Sequence, residues 1–123
     1  MPEAPEQPPC ERDNPRPVLV LVRDLIFSSR ITATARAANA PVKLLRSPAA
    51  LAGAEGRLLI VDLNEPAAVE AAAAWKQQSS GDVVGFVSHV DVDTIARARA
   101  AGLDRVMPRS QFVNALADLL RPS

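Results

Sequence analysis

The sequence is poor in the residues that build most metal sites, disulfides and aromatic binding surfaces. Its 123 residues include one cysteine, one histidine and four aromatic residues, none of them tyrosine. A single cysteine cannot form an internal disulfide, and one cysteine with one histidine cannot supply a conventional zinc site. So few aromatic rings do not form the stacking platforms that bind single-stranded nucleic acid. None of these three features is therefore expected.

Net charge, glycine motifs and long apolar runs are lacking as well. Fourteen basic residues balance fourteen acidic ones, and the five glycines have no nucleotide-binding spacing. No apolar run approaches the roughly 20 residues that span a bilayer. The first residues are acidic and rich in proline, unlike a secretory signal. We therefore expect a cytoplasmic protein that binds neither nucleic acid nor membrane.

Proline content divides the chain near residue 17. Six of the eleven prolines lie in residues 1–17, where charged or polar residues separate them. Such a segment cannot bury enough apolar surface to offset the entropy of ordering it, which predicts a disordered leader. A docking motif within the leader is the alternative. Residues 18–123 are long enough to form one domain around a single core.

Short apolar runs then alternate with segments of helical spacing. The runs predicted to be strands are 18–22, 42–45, 58–61, 83–87 and 105–107. The predicted helices are 26–39, 48–54, 66–78, a fourth from Asp91 or Asp93 to Gly102, and a fifth that Ser110 caps. Trp75 shares a helix face with Ala68 and Ala72, and should pack on the sheet. This order predicts one doubly wound α/β domain with a five-stranded parallel sheet flanked by helices.

Polar residues follow the predicted strands at their carboxyl ends, where the functional crevice of such sheets lies. Arg23 and Asp24 follow the first strand, and Asp62 follows the third. Ser88 follows the fourth strand and Arg109 follows the fifth. Because these ends meet at one edge of a parallel sheet, we expect two carboxylates, a hydroxyl and a basic group to converge there.

This arrangement resembles the receiver domain of bacterial response regulators over residues 18–121. Asp62, with Pro66 four residues on, is similar to the family's phospho-accepting aspartate and its loop. Ser88 is similar to the switch hydroxyl, and Asp24 to one of two acids that hold magnesium. The resemblance implies a flavodoxin-like (βα)5 fold and a role in two-component signalling or a phosphorelay, not an enzymatic activity.

Two positions depart from the receiver pattern. Arg23 stands where the family has its other acid, and Pro108 stands at the position of its lysine, with Arg109 one residue late. Magnesium takes several oxygen ligands, and an arginine in place of an acid reverses the local charge. We therefore expect no cofactor, with magnesium held by Asp24 and Asp62 as the alternative. Arg23 is expected to pair with Asp62 or Asp24 in place of the metal.

The favoured function is a stand-alone signalling module whose aspartyl phosphorylation site is impaired or absent. It would act by binding an unidentified protein, either a kinase or an effector. The resemblance implies a partner surface on the fourth helix, fifth strand and fifth helix, which would include Arg97, Arg105 and Gln111. The same surface could form a homodimer.

Two alternative functions remain open from the sequence. The first is a conventional response regulator that accepts a phosphoryl group on Asp62. The second is a small anion-binding domain or enzyme in which Arg23 and Arg109 form a basic pocket for an anionic metabolite. Doubly wound domains host many functions, so the fold alone does not decide among these hypotheses.

Overall fold

The strands and helices alternate along the chain in a computed structural model, which describes residues 16–65, 67–79, 81–87 and 92–120. The strands are β1 (Val18–Leu21), β2 (Val42–Leu45), β3 (Leu58–Asp62), β4 (Asp82–Val87) and β5 (Arg105–Pro108). The α-helices are α1 (Leu25–Ala37), α2 (Ala68–Gln78), α3 (Val92–Ala100) and α4 (Arg109–Leu120). A 3₁₀ helix, Pro48–Leu51, lies between β2 and β3.

The five strands form one parallel sheet in the order β2-β1-β3-β4-β5. The chain therefore winds first to one side of β1 and then to the other, which confirms the predicted doubly wound architecture. The winding direction changes between β1 and β3, and a crevice forms outside the carboxyl ends of strands at such a switch point. Asp24 and Asp62 follow or end these two strands, so the topology places them together.

Strand residues alternate between two apolar layers. Val18 and Val20 of β1 face the layer covered by α1 and α4, whereas Leu19 and Leu21 face the layer covered by the 3₁₀ helix, α2 and α3. Burial on both faces explains why the strands are continuous apolar runs rather than alternating ones. The prediction for Trp75 is confirmed, because its side chain is only 1% exposed and lies in the second layer.

Several element ends differ from the sequence-based prediction. Ser110 is not an N-cap, because β5 passes directly into α4 and Arg109 is already helical. The predicted second helix is a single 3₁₀ turn, and α1 ends at Ala37 with Asn39 in the left-handed region at φ 59°. Gly102 follows α3 at φ 92°, as a helix-terminating glycine should.

The predicted leader falls mostly outside the described residues, as do Pro66, Ser88 and Asp91. Within the described part, the Pro17 carbonyl accepts a hydrogen bond from the Arg57 N–H at 3.1 Å, which extends the β1–β3 pairing by one residue. None of the helices in the described ranges is long and apolar enough to cross a lipid bilayer.

Candidate functional site

Asp24 is fixed at the edge of the sheet because it caps the helix that follows β1. Its backbone is extended, and its Oδ1 accepts a hydrogen bond from the Phe27 N–H at 3.1 Å. Aspartate is well suited to this position, since the first N–H groups of a helix have no partner within it. One oxygen of this carboxylate is therefore engaged in holding α1.

The other oxygen of Asp24 pairs with Arg109, the first residue of α4. Arg109 Nη2 lies 3.4 Å from Asp24 Oδ2, and the guanidinium carbon lies 3.9 Å from the centroid of the Phe27 ring. The hydrogen bond from the Phe27 N–H has the largest effect on the pKa of Asp24 and lowers it. Desolvation raises this pKa by a smaller amount, and the hydrogen bond from Arg109 lowers it further. Asp24 is thus held as a carboxylate, with both oxygens in use.

The ring beneath Arg109 belongs to a cluster of three buried phenylalanines. Phe27 contacts Phe86 and Phe112 with centroid distances of 5.1 and 5.8 Å, and Phe86 stacks on Phe112 at 4.8 Å. The rings come from α1, β4 and α4, so the cluster joins three elements. Aromatic pairs at these distances are mutually stabilising. The cluster fixes the ring on which the Arg109 guanidinium rests.

Asp62 lies deeper, as the last residue of β3. Its side chain is 8% exposed, and Oδ1 accepts a hydrogen bond from the Asn64 N–H at 3.0 Å. Burial raises the pKa of Asp62, with the Glu65 and Asp24 carboxylates adding to that rise, while the Asn64 N–H and Arg109 oppose it. Asp24 and Arg109 therefore both act electrostatically on Asp62.

The raised pKa of Asp62 predicts that its charge destabilises the fold at neutral pH. Between the unfolded and folded pKa values the folded state binds more protons, so stability falls as pH rises through the folded pKa. Asp62→Asn removes the charge, and its amide oxygen can still accept from Asn64. We expect a Tm several degrees higher than wild type at neutral pH, and no difference below the unfolded pKa of about 3.9.

Thermal denaturation of both proteins across this pH range measures the effect. Asp62→Ala is the control, because it removes the charge and also the acceptor for Asn64. A lower Tm for Asp62→Asn than for wild type at neutral pH would show that the charge of Asp62 is stabilising.

Arg23 does not pair with Asp24 or Asp62, so that expectation was wrong. Its side chain is 67% exposed, and Nη1 lies 3.3 Å from Glu65 Oε1 in the loop after β3. The physical reason is that Asp62 is buried and the free oxygen of Asp24 is already paired with Arg109. The side chain of Glu65 is partly exposed, and Arg23 forms its ion pair with that carboxylate.

The residues predicted to form a partner surface lie on three different elements. Arg97 of α3 faces α2, where its Nη2 is 2.7 Å from Glu70 Oε2. Arg105 begins β5 at the amino-terminal edge of the sheet, whereas Gln111 is exposed in the first turn of α4, near the carboxyl edge. Ser88, which resembles the switch hydroxyl of receiver domains, lies outside the described residues.

Glu65 and the phenylalanine cluster were not among the site residues predicted from the sequence. Glu65 follows Asp62 by three residues, and Phe27 follows Asp24 by three, so their positions near the site were readable. Within the described ranges, no group of three or more carboxylate, imidazole or thiol side chains is close enough together to hold a metal ion.

Comparisons of sequence find no match, either to a family model or to a curated protein. Comparisons of structure find similar solved proteins. The chain is similar to a CheY-like receiver domain from Methanospirillum hungatei JF-1, with a TM-score of 0.72 at 10% identity over 86% of this chain and 94% of that one. The signal receiver domain of the putative response regulator NarL from Mycobacterium tuberculosis gives 0.68 at 16% identity over 87% and 97%.

A third similar structure is a response regulator from Burkholderia pseudomallei with a phosphorylated aspartic acid, calcium ion and citrate. Its TM-score is 0.69 at 12% identity, over 83% of this chain and 66% of that chain. This chain therefore spans about two-thirds of that protein's length. Identities this low establish the fold alone. The chain has the fold of response regulator receiver domains, as its sequence predicts.

Proposed function

We propose that this protein is a receiver-fold signalling module that acts by binding another protein, and that its aspartyl phosphorylation chemistry is impaired. The receiver fold supports the signalling role. The observation that carries the second part is the ion pair between Arg109 and Asp24, stacked on Phe27. The partner would be a kinase or an effector protein in the cytoplasm.

Phosphoryl transfer to an aspartate needs a cation to neutralise the charge on the phosphoryl oxygens. Magnesium does this in near-octahedral coordination, bound through carboxylates and water. Here Asp24 is one candidate ligand. Its Oδ1 accepts a hydrogen bond from the Phe27 N–H, and its Oδ2 forms an ion pair with Arg109. The guanidinium also repels a divalent cation at close range. This donor set does not fit magnesium.

Arg109 also acts on Asp62, the residue that resembles the phosphoryl acceptor. Burial raises the pKa of Asp62. Arg109 lowers that pKa, although its effect is smaller than that of burial. Arg109 therefore supplies a positive charge next to Asp62, but its guanidinium is already paired with Asp24.

The alternative of an anion-binding domain or enzyme has less support. It requires Arg23 and Arg109 to present their guanidinium groups to a ligand. Each already pairs with a carboxylate, Arg23 with Glu65 and Arg109 with Asp24. An anionic metabolite would have to displace both contacts.

Incubation with acetyl phosphate and magnesium, followed by intact-mass measurement, tests the proposal. We expect no mass increase of one phosphoryl group in the wild type, and no difference between wild type and Asp62→Asn. A receiver domain that does accept the phosphoryl group serves as a positive control for the donor. Magnesium-dependent labelling that Asp62→Asn abolishes would overturn the proposal and favour the conventional regulator.

A further inference from the structure

The first turn of α1 exposes two large aliphatic side chains beside the candidate site. Leu25 is 74% exposed and Ile26 is 85% exposed. We call these two residues the α1 ridge. Adjacent exposed aliphatic residues of this size are candidates for contact with another segment, since they gain from removal from water.

The ridge separates two open clefts that are each lined by two arginines. The cleft on the Leu25 side has a volume of about 360 Å³ and is lined by Val22, Arg23, Leu25, Ser28, Leu44, Leu45 and Arg46. The cleft on the Ile26 side has a volume of about 470 Å³ and is lined by Ile26, Phe27, Arg30, Arg109, Ser110 and Val113. No carboxylate lines either cleft. The surface suits an occupant that is apolar and acidic.

Two of these arginines are available for a new contact. Arg23 and Arg109 pair with Glu65 and Asp24, but neither Arg30 nor Arg46 forms an ion pair with a carboxylate in the described ranges. Arg30 follows Ile26 by one helical turn, so it lies on the same face of α1. An acidic group that binds there would sit directly beside the ridge.

The amino-terminal segment of the same chain has this chemistry in a regular pattern. Prolines recur at positions 2, 5 and 8, and glutamates at positions 3 and 6. A polyproline II helix has 3 residues per turn, so this spacing puts the prolines on one face and the glutamates on the next, about 9 Å apart along the axis. Such a helix presents an apolar stripe beside an acidic one.

The length of the intervening chain allows the segment to reach the ridge. Seven residues, 18–24, run from the amino-terminal edge of the sheet to Asp24 at the carboxyl edge. Residues 9–15 are equal in number, and when extended they span at most about 23–25 Å, enough to return over the same distance. Residues 2–8 can then lie against the α1 ridge.

We propose that residues 2–8 dock on the α1 ridge of their own chain, with the prolines against Leu25 and Ile26 and the glutamates toward Arg30 and Arg46. Tethering makes this binding intramolecular, so modest contacts suffice. A protein that binds the α1 ridge would have to displace the docked segment. Docking is independent of whether Asp62 accepts a phosphoryl group.

The single cysteine makes a direct test in the full chain. A nitroxide label on Cys10, two residues beyond Pro8, reports proximity through paramagnetic broadening of amide signals. We expect strong broadening at Leu25, Ile26, Arg30 and Val113 that weakens at high salt, since exposed charge pairs are screened. Broadening confined to the amino-terminal edge, around Pro17 and Arg57, would overturn the proposal.

Paired variants separate docking from general charge attraction. Glu3→Lys with Glu6→Lys should lose most of the broadening at the ridge. Glu11→Lys with Asp13→Lys changes the net charge equally but lies outside the docking residues, and should retain it. Ile26→Ser, at a position that is 85% exposed, should also lose the broadening at the ridge. Equal losses in the two lysine pairs, or none with Ile26→Ser, would contradict the docking.

Discussion

Trp75→Ala is expected to lower the free energy of unfolding by about 3–5 kcal/mol, the range typical of removing a buried tryptophan. The side chain is 1% exposed and lies between α2 and the sheet. Its Nε1–H donates to the Ala54 carbonyl at 2.9 Å, which ties α2 to the loop after the 3₁₀ helix. A Cβ built on Gly81 would lie 2.6 Å from ring atom Cη2, so no space separates the ring from that backbone.

Urea denaturation followed by circular dichroism measures this change, since the alanine variant has no tryptophan fluorescence. Trp75→Phe is the matched control, because it retains much of the apolar area but loses the hydrogen bond to Ala54. We expect its cost to be smaller than that of alanine. A cost under about 1 kcal/mol for Trp75→Ala would mean that the ring contributes no packing to the second layer.

The second large effect is expected when the two arginines beside the site are replaced together. Arg23→Asp adds the acid that receiver domains have at this position, and Arg109→Gln frees Asp24 from its ion pair. The double variant should be stabilised by magnesium, by about 2.7 kcal/mol when the ion is at 100 times its Kd, because a ligand of the folded state stabilises it by mass action. In chelator it should be less stable than wild type, because neighbouring carboxylates repel one another.

Two further variants show which substitution causes the response to magnesium. Arg23→Asp alone leaves Arg109 on Asp24, and should gain much less from magnesium than the double variant. Arg23→Gln combined with Arg109→Gln removes both positive charges without adding an acid, which separates loss of repulsion from gain of a ligand. Thermal denaturation in magnesium and in chelator measures all of them. If magnesium does not change the Tm of the variant that combines Arg23→Asp with Arg109→Gln, Arg109 is not what excludes the ion.

The sheet and its two layers were predictable because each depends on local composition. A strand covered on both faces has a continuous apolar sequence, and all five strands begin and end within one residue of their predicted bounds. The proximity of Asp24 and Asp62 was also predictable, since it depends only on strand order. Trp75 was placed correctly because three residues at helical spacing define one face.

The pairing of the arginines was not predictable from the sequence. Arg23 and Arg109 both approach the site, and their partners depend on burial and on side-chain direction, which a strand-end position does not define. Arg109 rests on Phe27 because β5 runs into α4 without a loop residue, and because Phe86 and Phe112 hold that ring in place. These contacts join elements that are far apart in the chain.

The response of the wild-type Tm to magnesium tests the central claim most directly, namely that Arg109 occupies the charge position next to Asp24 in place of a metal. The measurement is thermal denaturation of the full chain in chelator and in increasing millimolar magnesium, with equal ionic strength maintained by sodium chloride. We expect the same Tm at every magnesium concentration and in chelator. A saturable rise in Tm that Asp24→Asn abolishes would contradict it, because it would show that Asp24 binds the ion despite its contact with Arg109.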